Sequence, residues 1–363
     1  MKSTARILFF IVLILIGIHV NAQTGFTITG TVADEKGTPL KGATVFISDS
    51  KIITATDNAG RFTLANLQSG SFRLSVTTIG YATYNKSILI RDKPVDINIV
   101  LKVKPIILNE VVIGKGKSRD DYYELFKNSF LGTTYNADQC VILNPKVLNF
   151  STNKKDLMAD ADEFLIIENN SLGYRIRYLI KAFKYNLIST ITSYDGDASF
   201  EELEGTAAQK KEWANNRLEA YNGSLMHFLR AVYANNALKQ GFMAHQVLKG
   251  PLGLYFDKAL LDLKTITTIA DSSFVYLSFT SIYVVYDPKK AAKAQVQEPP
   301  SQLRGAGFDN KSSLLKLYLD EAIIDSKGSY ADYRSFLIQG NWSRKRLGDQ
   351  LPFEYKPPVA ENK

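Results

Sequence analysis

The sequence predicts a multi-domain chain: an N-terminal all-β antiparallel sandwich followed by an α+β domain. Three observations carry that reading. Residues 26–113 break into short apolar-alternating runs separated by turn residues every ten or so positions, the pattern of a sandwich. Residues 206–239 instead place Leu218, Tyr221, Leu225, Phe228, Leu229 and Val232 at helical spacing. Residues 174–183 return to strict alternation, with Tyr174, Ile176, Tyr178 and Ile180 on one face and Arg175, Arg177 and Lys181 on the other with Leu179.

The first 22 residues set the compartment. Lys2 and Arg6 precede an apolar run over 7–20, and Val20-Asn21-Ala22 puts small residues at a cleavage position before Gln23, the layout of a secretory leader. The run is about 14 residues, short of the roughly 20 needed to span a bilayer. No cysteine follows it to carry a lipoprotein anchor, and no later stretch reads as a transmembrane span. The expectation is an exported protein, periplasmic, outer-membrane associated or at the cell surface. Cleavage takes 22 residues from the 363 and leaves 341, enough for two or three domains. The formal charge falls from +8 to +6 with the loss of Lys2 and Arg6. Export excludes nucleic acid as a partner and leaves an outer-membrane protein, an envelope glycan or an anionic lipid as the partner classes. The lone cysteine, Cys140, rules out an intramolecular disulfide and opens an apolar segment as a small buried hydrophobe.

Strands are expected at 26–32, 43–47, 52–56, 61–64, 72–78, 88–90 and 97–103. Asp34-Glu35-Lys36-Gly37 and Asp57-Asn58-Ala59-Gly60 turn the chain between them, with Gly60 free to take positive φ. The series Gly30-Thr31-Val32, Asp34, Gly37, Pro39-Leu40, Gly42-Ala43-Thr44-Val45, then Thr56-Asp57, Gly60-Arg61-Phe62-Thr63-Leu64, Leu74-Ser75-Val76 and Ile79-Gly80-Tyr81 resembles the carboxypeptidase-D regulatory-like family. That resemblance implies a transthyretin-like sandwich over 23–113 that accompanies larger domains and is not itself a peptidase. Leu108-Asn109-Glu110-Val111-Val112-Ile113-Gly114 is similar to the segment joining such a domain to the plug of TonB-dependent outer-membrane receptors of Bacteroidota-type bacteria. The remaining residues lack the alternating strands a receptor barrel needs. The segment reads as a last sandwich strand or as a peptide for TonB-type uptake machinery.

Residues 114–121 form a basic linker, 122–356 the α+β body and 357–363 a tail. Tyr122, Leu125, Phe126 and Phe130 mark a helix over 121–131, closed by Gly132. Thr206 with Gln209 fits a capping box, and Asn222-Gly223 offers a break in the helical region that follows. Strands are expected at 265–269, 274–286, 314–319 and 336–339, with a polar loop over 289–307. Phe130-Leu131-Gly132, Leu143-Asn144-Pro145, Leu172-Gly173-Tyr174 and Tyr221-Asn222-Gly223-Ser224 resemble a body of unnamed activity that follows this sandwich in secreted Bacteroidota proteins.

Catalytic patterns are sparse. His227 and His245 are the histidines left after the leader, and neither opens an HExxH motif. No GxSxG elbow is present, and Ser224, His227 and Arg230 on one helix face read as packing and capping. Gly116-Lys117-Ser118 lacks the earlier glycine of a phosphate loop. Asp195-Gly196-Asp197 fails as a calcium loop, because Phe200 and Thr206 stand where glycine and glutamate are required. No metal or cofactor is implied. The acidic cluster Asp195, Asp197, Glu201, Glu202 and Glu204, read as a loop before a helix, is the one place for a glycosidase-like carboxylate pair. Arg175, Arg177 and Lys181 form the candidate binding face for an anionic ligand, since guanidinium groups grip carboxylate or phosphate in a fork. The sequence therefore predicts a non-catalytic envelope binding or scaffolding protein, with an exported glycan hydrolase and a TonB-uptake accessory as the alternatives.

Overall fold

A computed structural model of the chain describes residues 25–104, 118–250, 253–270, 273–294, 303–305, 307–330, 332 and 334–358. The leader, the 108–114 segment and the basic linker up to 117 lie outside the described residues.

The first unit is the expected all-β sandwich. Its strands are β1 (Phe26–Asp34), β2 (Thr44–Ile47), β3 (Ile53–Ala55), β4 (Arg61–Leu67), β5 (Gly70–Thr77), β6 (Tyr84–Ile90) and β7 (Val95–Leu101). They pair as two sheets in the orders β4-β1-β7 and β3-β2-β5-β6. Period-two patterning decides the inside: Ile28 and Val32 of β1, Phe62 and Leu64 of β4, and Ile97, Ile99 and Leu101 of β7 meet Val45, Leu74 and Val76. One pairing departs from the antiparallel expectation. β1 and β7 run parallel, and Thr29 and Thr31 bond across the exposed face to Asp96 and Asn98 at 2.8 Å each. Gly60 has φ +72, and a Cβ there would lie 2.4 Å from the Val32 carbonyl, so both conformation and space demand glycine.

Helix α1 (Arg119–Leu131) starts two residues earlier than the apolar spacing indicated, because Ser118 and Asp121 form a capping box. It covers a six-stranded antiparallel sheet built from β8 (Cys140–Ile142), β9 (Leu148–Thr152), β10 (Asp156–Ala161), β11 (Leu165–Asn169), β12 (Tyr174–Asn186) and β13 (Thr192–Glu202). The long β12 organises this sheet. Its N-terminal half pairs with β11, its C-terminal end with β10, and its other edge with β13 throughout. Phe126 and Phe130 of α1 stack at 4.9 Å and meet Phe183 and Tyr178 of β12 edge-on at 4.7 and 4.9 Å.

The helical region 206–239 divides at Asn222-Gly223 into α2 (Ala207–Tyr221) and α3 (Leu225–Tyr233). Thr206 and Gln209 form the expected capping box, and Ser224 caps α3 by accepting the His227 amide at 3.1 Å. The helix ends at Tyr233, six residues short of the expectation; tight turns fill 235–241, entered at Asn235 with φ 50.

The remainder is a second lobe. Its larger sheet runs β19 (Leu303–Gly305), β15 (Gly253–Asp257), β14 (Phe242–Gly250), β18 (Ser281–Tyr286), β20 (Ser312–Leu317) and β22 (Phe336–Gly340). A smaller sheet pairs β16 (Thr267–Ile269), β17 (Phe274–Leu277) and β21 (Ala322–Asp325). The run expected as one strand over 274–286 breaks at 278–280 so that its halves serve different sheets. The body thus has two hydrophobic cores, one under α1 and one under α3.

Residues 341–355 then tie the three cores together. Trp342 fills the α3 core and donates to the Gly223 carbonyl at 2.7 Å. Leu347 and Leu351 return to the α1 core. Phe353 donates its amide to Asp49 of the sandwich at 2.9 Å, and Glu354 accepts from the Lys51 amide at 3.2 Å.

Candidate functional site

The basic residues of β12 do not act as one patch. Arg175 lies opposite Glu168 of β11 and Glu201 of β13. It pairs with Glu168 at 2.6 Å and with Glu201 at 3.8 Å, and Arg177 pairs with Glu201 at 2.6 Å. These half-exposed groups make a cross-strand charge ladder of modest worth. Lys181 goes elsewhere. The register of β12 against β13 shifts between Ile180 and Ala182, and Lys181, between them, reaches Asp197 at 2.8 Å.

Asp197 leads to the most heavily charged interior of the molecule. The acidic stretch is not a loop: as far as Glu202 it is β13, because cross-strand pairing with β12 continues through it. Residues 196–200 are buried on both faces, since the α1 core takes Ala198 and Phe200 while the sandwich lies over the other side. The sandwich turn after β2 joins β13 directly: the Asp49 amide donates to Ala198 at 2.7 Å, and the Phe200 amide to Ser50 at 2.9 Å. Asp197, with no exposed side-chain surface, accepts from Ser48 at 2.7 Å and from Arg73 Nε at 2.8 Å. Arg73 also reaches Asp195 at 3.5 Å and Asp49 at 3.9 Å. Burial pushes the Asp49 carboxyl up to about 6 against the pull of Arg73, with Asp197 and Asp195 adding to the rise. Glu202 holds Lys51 at 3.1 Å and Arg217 at 3.5 Å, and Glu204 lies 3.9 Å from Lys210. Every carboxylate of the acidic stretch is therefore held by a cation. Among the described residues no three His, Cys, Asp or Glu side chains group as metal ligands do.

Four other sequence candidates resolve into packing. Ser224 is a helix cap. His227 stacks on Tyr221 at 4.6 Å, accepts the Gly223 amide at Nδ1 (3.2 Å) and meets Gln240 at Nε2 (3.2 Å), so its ring is the Nε2–H tautomer. Burial lowers its pKa against the pull of the Gln240 contact. Arg230 clamps three backbone carbonyls, those of Lys327, Tyr355 and Phe353, at 2.8–3.0 Å. Cys140 is buried beside the Asn136 carbonyl, and burial pushes its thiol up to about 12.

An open cleft of about 560 Å³ lies where the two body lobes meet, within the size range of small-ligand sites. Helix α2 supplies one wall. Asn215, Leu218, Glu219 and Asn222 stand at i, i+3, i+4 and i+7, which puts them on one face. Opposite are Asn310 and Lys311, before β20, and Asn341 and Lys345, after β22, with the Tyr286 ring at the base against Gly223. The side chains of Asn215, Asn222, Asn310, Asn341 and Lys345 make no hydrogen bond among the described residues. Lys311 is held by Asp287 at 2.9 Å. Burial lowers the Lys345 pKa, while Asp349 and Glu219 oppose the shift. Chemically this is a cradle of amide donors and acceptors, two cations, of which Lys311 is paired with Asp287, and one carboxylate, suited to a hydroxyl-rich ligand. The helical repeat of Asn215, Glu219 and Asn222 is a signal in the sequence, but the apolar stripe of the same region masks it. Asn310 and Asn341 join only through the fold.

Residues 28–113 match the CarboxypepD_reg-like domain family. No curated protein matches the chain. Among solved structures, a chain of a type II cohesin–X-dockerin complex from Acetivibrio cellulolyticus shares 18% identity over 31% of this chain and 80% of its own, with a TM-score of 0.20. A DUF3823 family protein from Bacteroides ovatus shares 11% over 50% of this chain and 82% of its own, at 0.19. A membrane-associated protein of unknown function from Bacteroides fragilis shares 9% over 72% and 90%, at 0.18. Likenesses at such scores establish neither fold nor function for this chain.

Proposed function

We propose, for a chain whose residues 28–113 are a CarboxypepD_reg-like domain, a binding and scaffolding role in the cell envelope rather than a catalytic one. The interlobe cleft is the recognition site, and an envelope glycan is its ligand. The sandwich serves as a platform, docked through its 48–51 turn and Arg73 onto the chain's own body. One observation carries the reading: the side chains of Asn215, Asn222, Asn310, Asn341 and Lys345 line one cleft and make no hydrogen bond among the described residues. A folded chain that leaves so many polar groups aimed at one space has them ready for hydrogen bonds to a ligand's hydroxyls. Export follows from the leader pattern at 1–22. No helix among the described residues is long and apolar enough to cross a membrane.

The test is calorimetric titration of the chain from Gln23 with oligosaccharides released from envelope polysaccharide, alongside Asn310→Ala/Asn341→Ala. Two lost hydrogen bonds, at about 1 kcal/mol each, lower affinity by roughly tenfold or more. Absence of saccharide binding by the wild type, or equal binding by the double variant, refutes the assignment. Turnover of the same oligosaccharides overturns the non-catalytic part of the proposal.

A further inference from the structure

At the far end of the body's first sheet, the turn between β12 and β13 carries three aliphatic side chains into solvent. Leu187 is 36% exposed, Ile188 73% and Ile191 49%. A surface turn of this kind ordinarily carries polar residues, and grouped apolar side chains at one tip mark an interaction surface. The turn is also built to hold them there. Asn186 Oδ1 accepts the amides of Ile188 at 3.1 Å and Ser189 at 2.8 Å, and the Asn186 amide donates to the Ile191 carbonyl at 2.9 Å. The Leu187 amide donates to the Lys155 carbonyl of the neighbouring β9–β10 turn at 2.7 Å. Thr190 has φ +57, a left-handed conformation that is unfavourable for a β-branched residue. Strain of that kind persists where the surroundings enforce it, and it clusters at functional positions.

The exposed charge of these segments is carried by lysines, of which Lys154 and Lys155 form no ion pair among the described residues and Lys184 is paired with Asp156. Lys154 and Lys155 from the β9–β10 turn and Lys184 from β12 are exposed. The one carboxylate in these segments, Asp156, is buried beneath them, held by Asn186 at 2.9 Å and Lys184 at 3.4 Å. An aliphatic tip ringed by lysines complements a surface with anionic headgroups over hydrocarbon. The lysines meet the headgroups, and the leucine and isoleucines enter the layer below.

We infer that the 187–191 turn is a membrane-docking tip that seats this protein on an anionic bilayer surface. The surface is separate from the interlobe cleft, so either assignment stands without the other.

The experiment is co-sedimentation of the chain from Gln23 with phosphatidylethanolamine–phosphatidylglycerol vesicles, with phosphatidylcholine vesicles as the neutral control. Binding to the anionic vesicles, falling with salt, is the expected result. Ile188→Asp lowers the partition by roughly tenfold or more, because a buried aliphatic side chain is replaced by a charge. Each of Lys154→Gln and Lys155→Gln lowers it by about fivefold, without affecting the neutral control. All three side chains are exposed, so circular dichroism and melting of the variants match the wild type. A wild type that binds neither vesicle overturns the inference. So does binding that Ile188→Asp leaves unchanged, which moves the contact elsewhere, or equal binding to both vesicle types, which removes the role of the lysines.

Discussion

Replacing Asp197 by asparagine tests how the sandwich is held to the body. The two side chains have nearly the same volume, so no cavity is made, and the contact with Ser48 at 2.7 Å survives through the amide oxygen. What disappears is the negative charge that Arg73 and Lys181 each approach at 2.8 Å, in a place where Asp197 exposes no surface to water. Removing one member of a fully buried ion pair costs about 3–5 kcal/mol, but Arg73 and Lys181 keep 34% and 24% of their side chains in water, which screens the charges left behind. Arg73 also retains Asp195 and Asp49, whereas Lys181 has no other ion pair among the described residues. A loss of about 1–2 kcal/mol is therefore expected. For a cooperative unit of roughly 150–250 residues this lowers Tm by about 2–8 °C, read by differential scanning calorimetry. Adding Lys181→Met removes the stranded cation and recovers at least half the loss. A single variant melting within about 1 °C of the wild type refutes the reasoning. So does a double variant less stable than the single one.

The other predictions concern pH and a turn. Asp49, with its carboxyl at about 6 in the fold and near 4 when unfolded, keeps its proton longer in the folded chain. Its contribution is therefore greatest below pH 4, falls as pH rises to 6 and is flat above. About two pKa units correspond to roughly 3 kcal/mol. Asp49→Asn gains stability relative to the wild type between pH 4.5 and 7 in urea titrations, and a constant difference across that window counts against the assignment. The difference is the quantity to read, because Asp287, held low by its hydrogen bond from Lys311, contributes with the opposite sign. Gly173→Ala combines a φ of +67 with a Cβ 2.2 Å from the Trp213 ring. A loss of about 2–5 kcal/mol is expected from strain and overpacking together, seen as a lower urea midpoint.

What the sequence discloses follows the range of the interaction. The Asp57–Gly60 turn, the Thr206/Gln209 box and the Asn222-Gly223 break are all set within four residues, and each stands where the sequence puts it. The alternation at Tyr174, Ile176, Tyr178 and Ile180 likewise gives the face that enters the α1 core. The charges of β12 and β13 are different. Each strand alone shows a run of one sign, and only their pairing shows that Arg175 faces Glu201 and that a bulge turns Lys181 onto Asp197. Arg73, 124 residues before Asp197, belongs to that cluster through the packing of two separate units. Strand β14 carries no clean alternation in Phe-Met-Ala-His-Gln-Val-Leu-Lys-Gly, because neighbours on both edges specify it in place of its own pattern.

The stretch that carries Trp342, Leu347, Leu351 and Phe353 has a consequence in time. A ribosome makes Lys51 about 300 residues before Phe353, an interval of roughly 15–60 s at 5–20 residues per second. From Leu101 onward the sandwich has every strand it needs, yet Asp49 lacks the partner that will close its carbonyl. Assembly of this molecule is therefore sequential, with local maturation first and a late clasp last. A nascent chain halted before residue 341 would hold finished pieces without a finished junction.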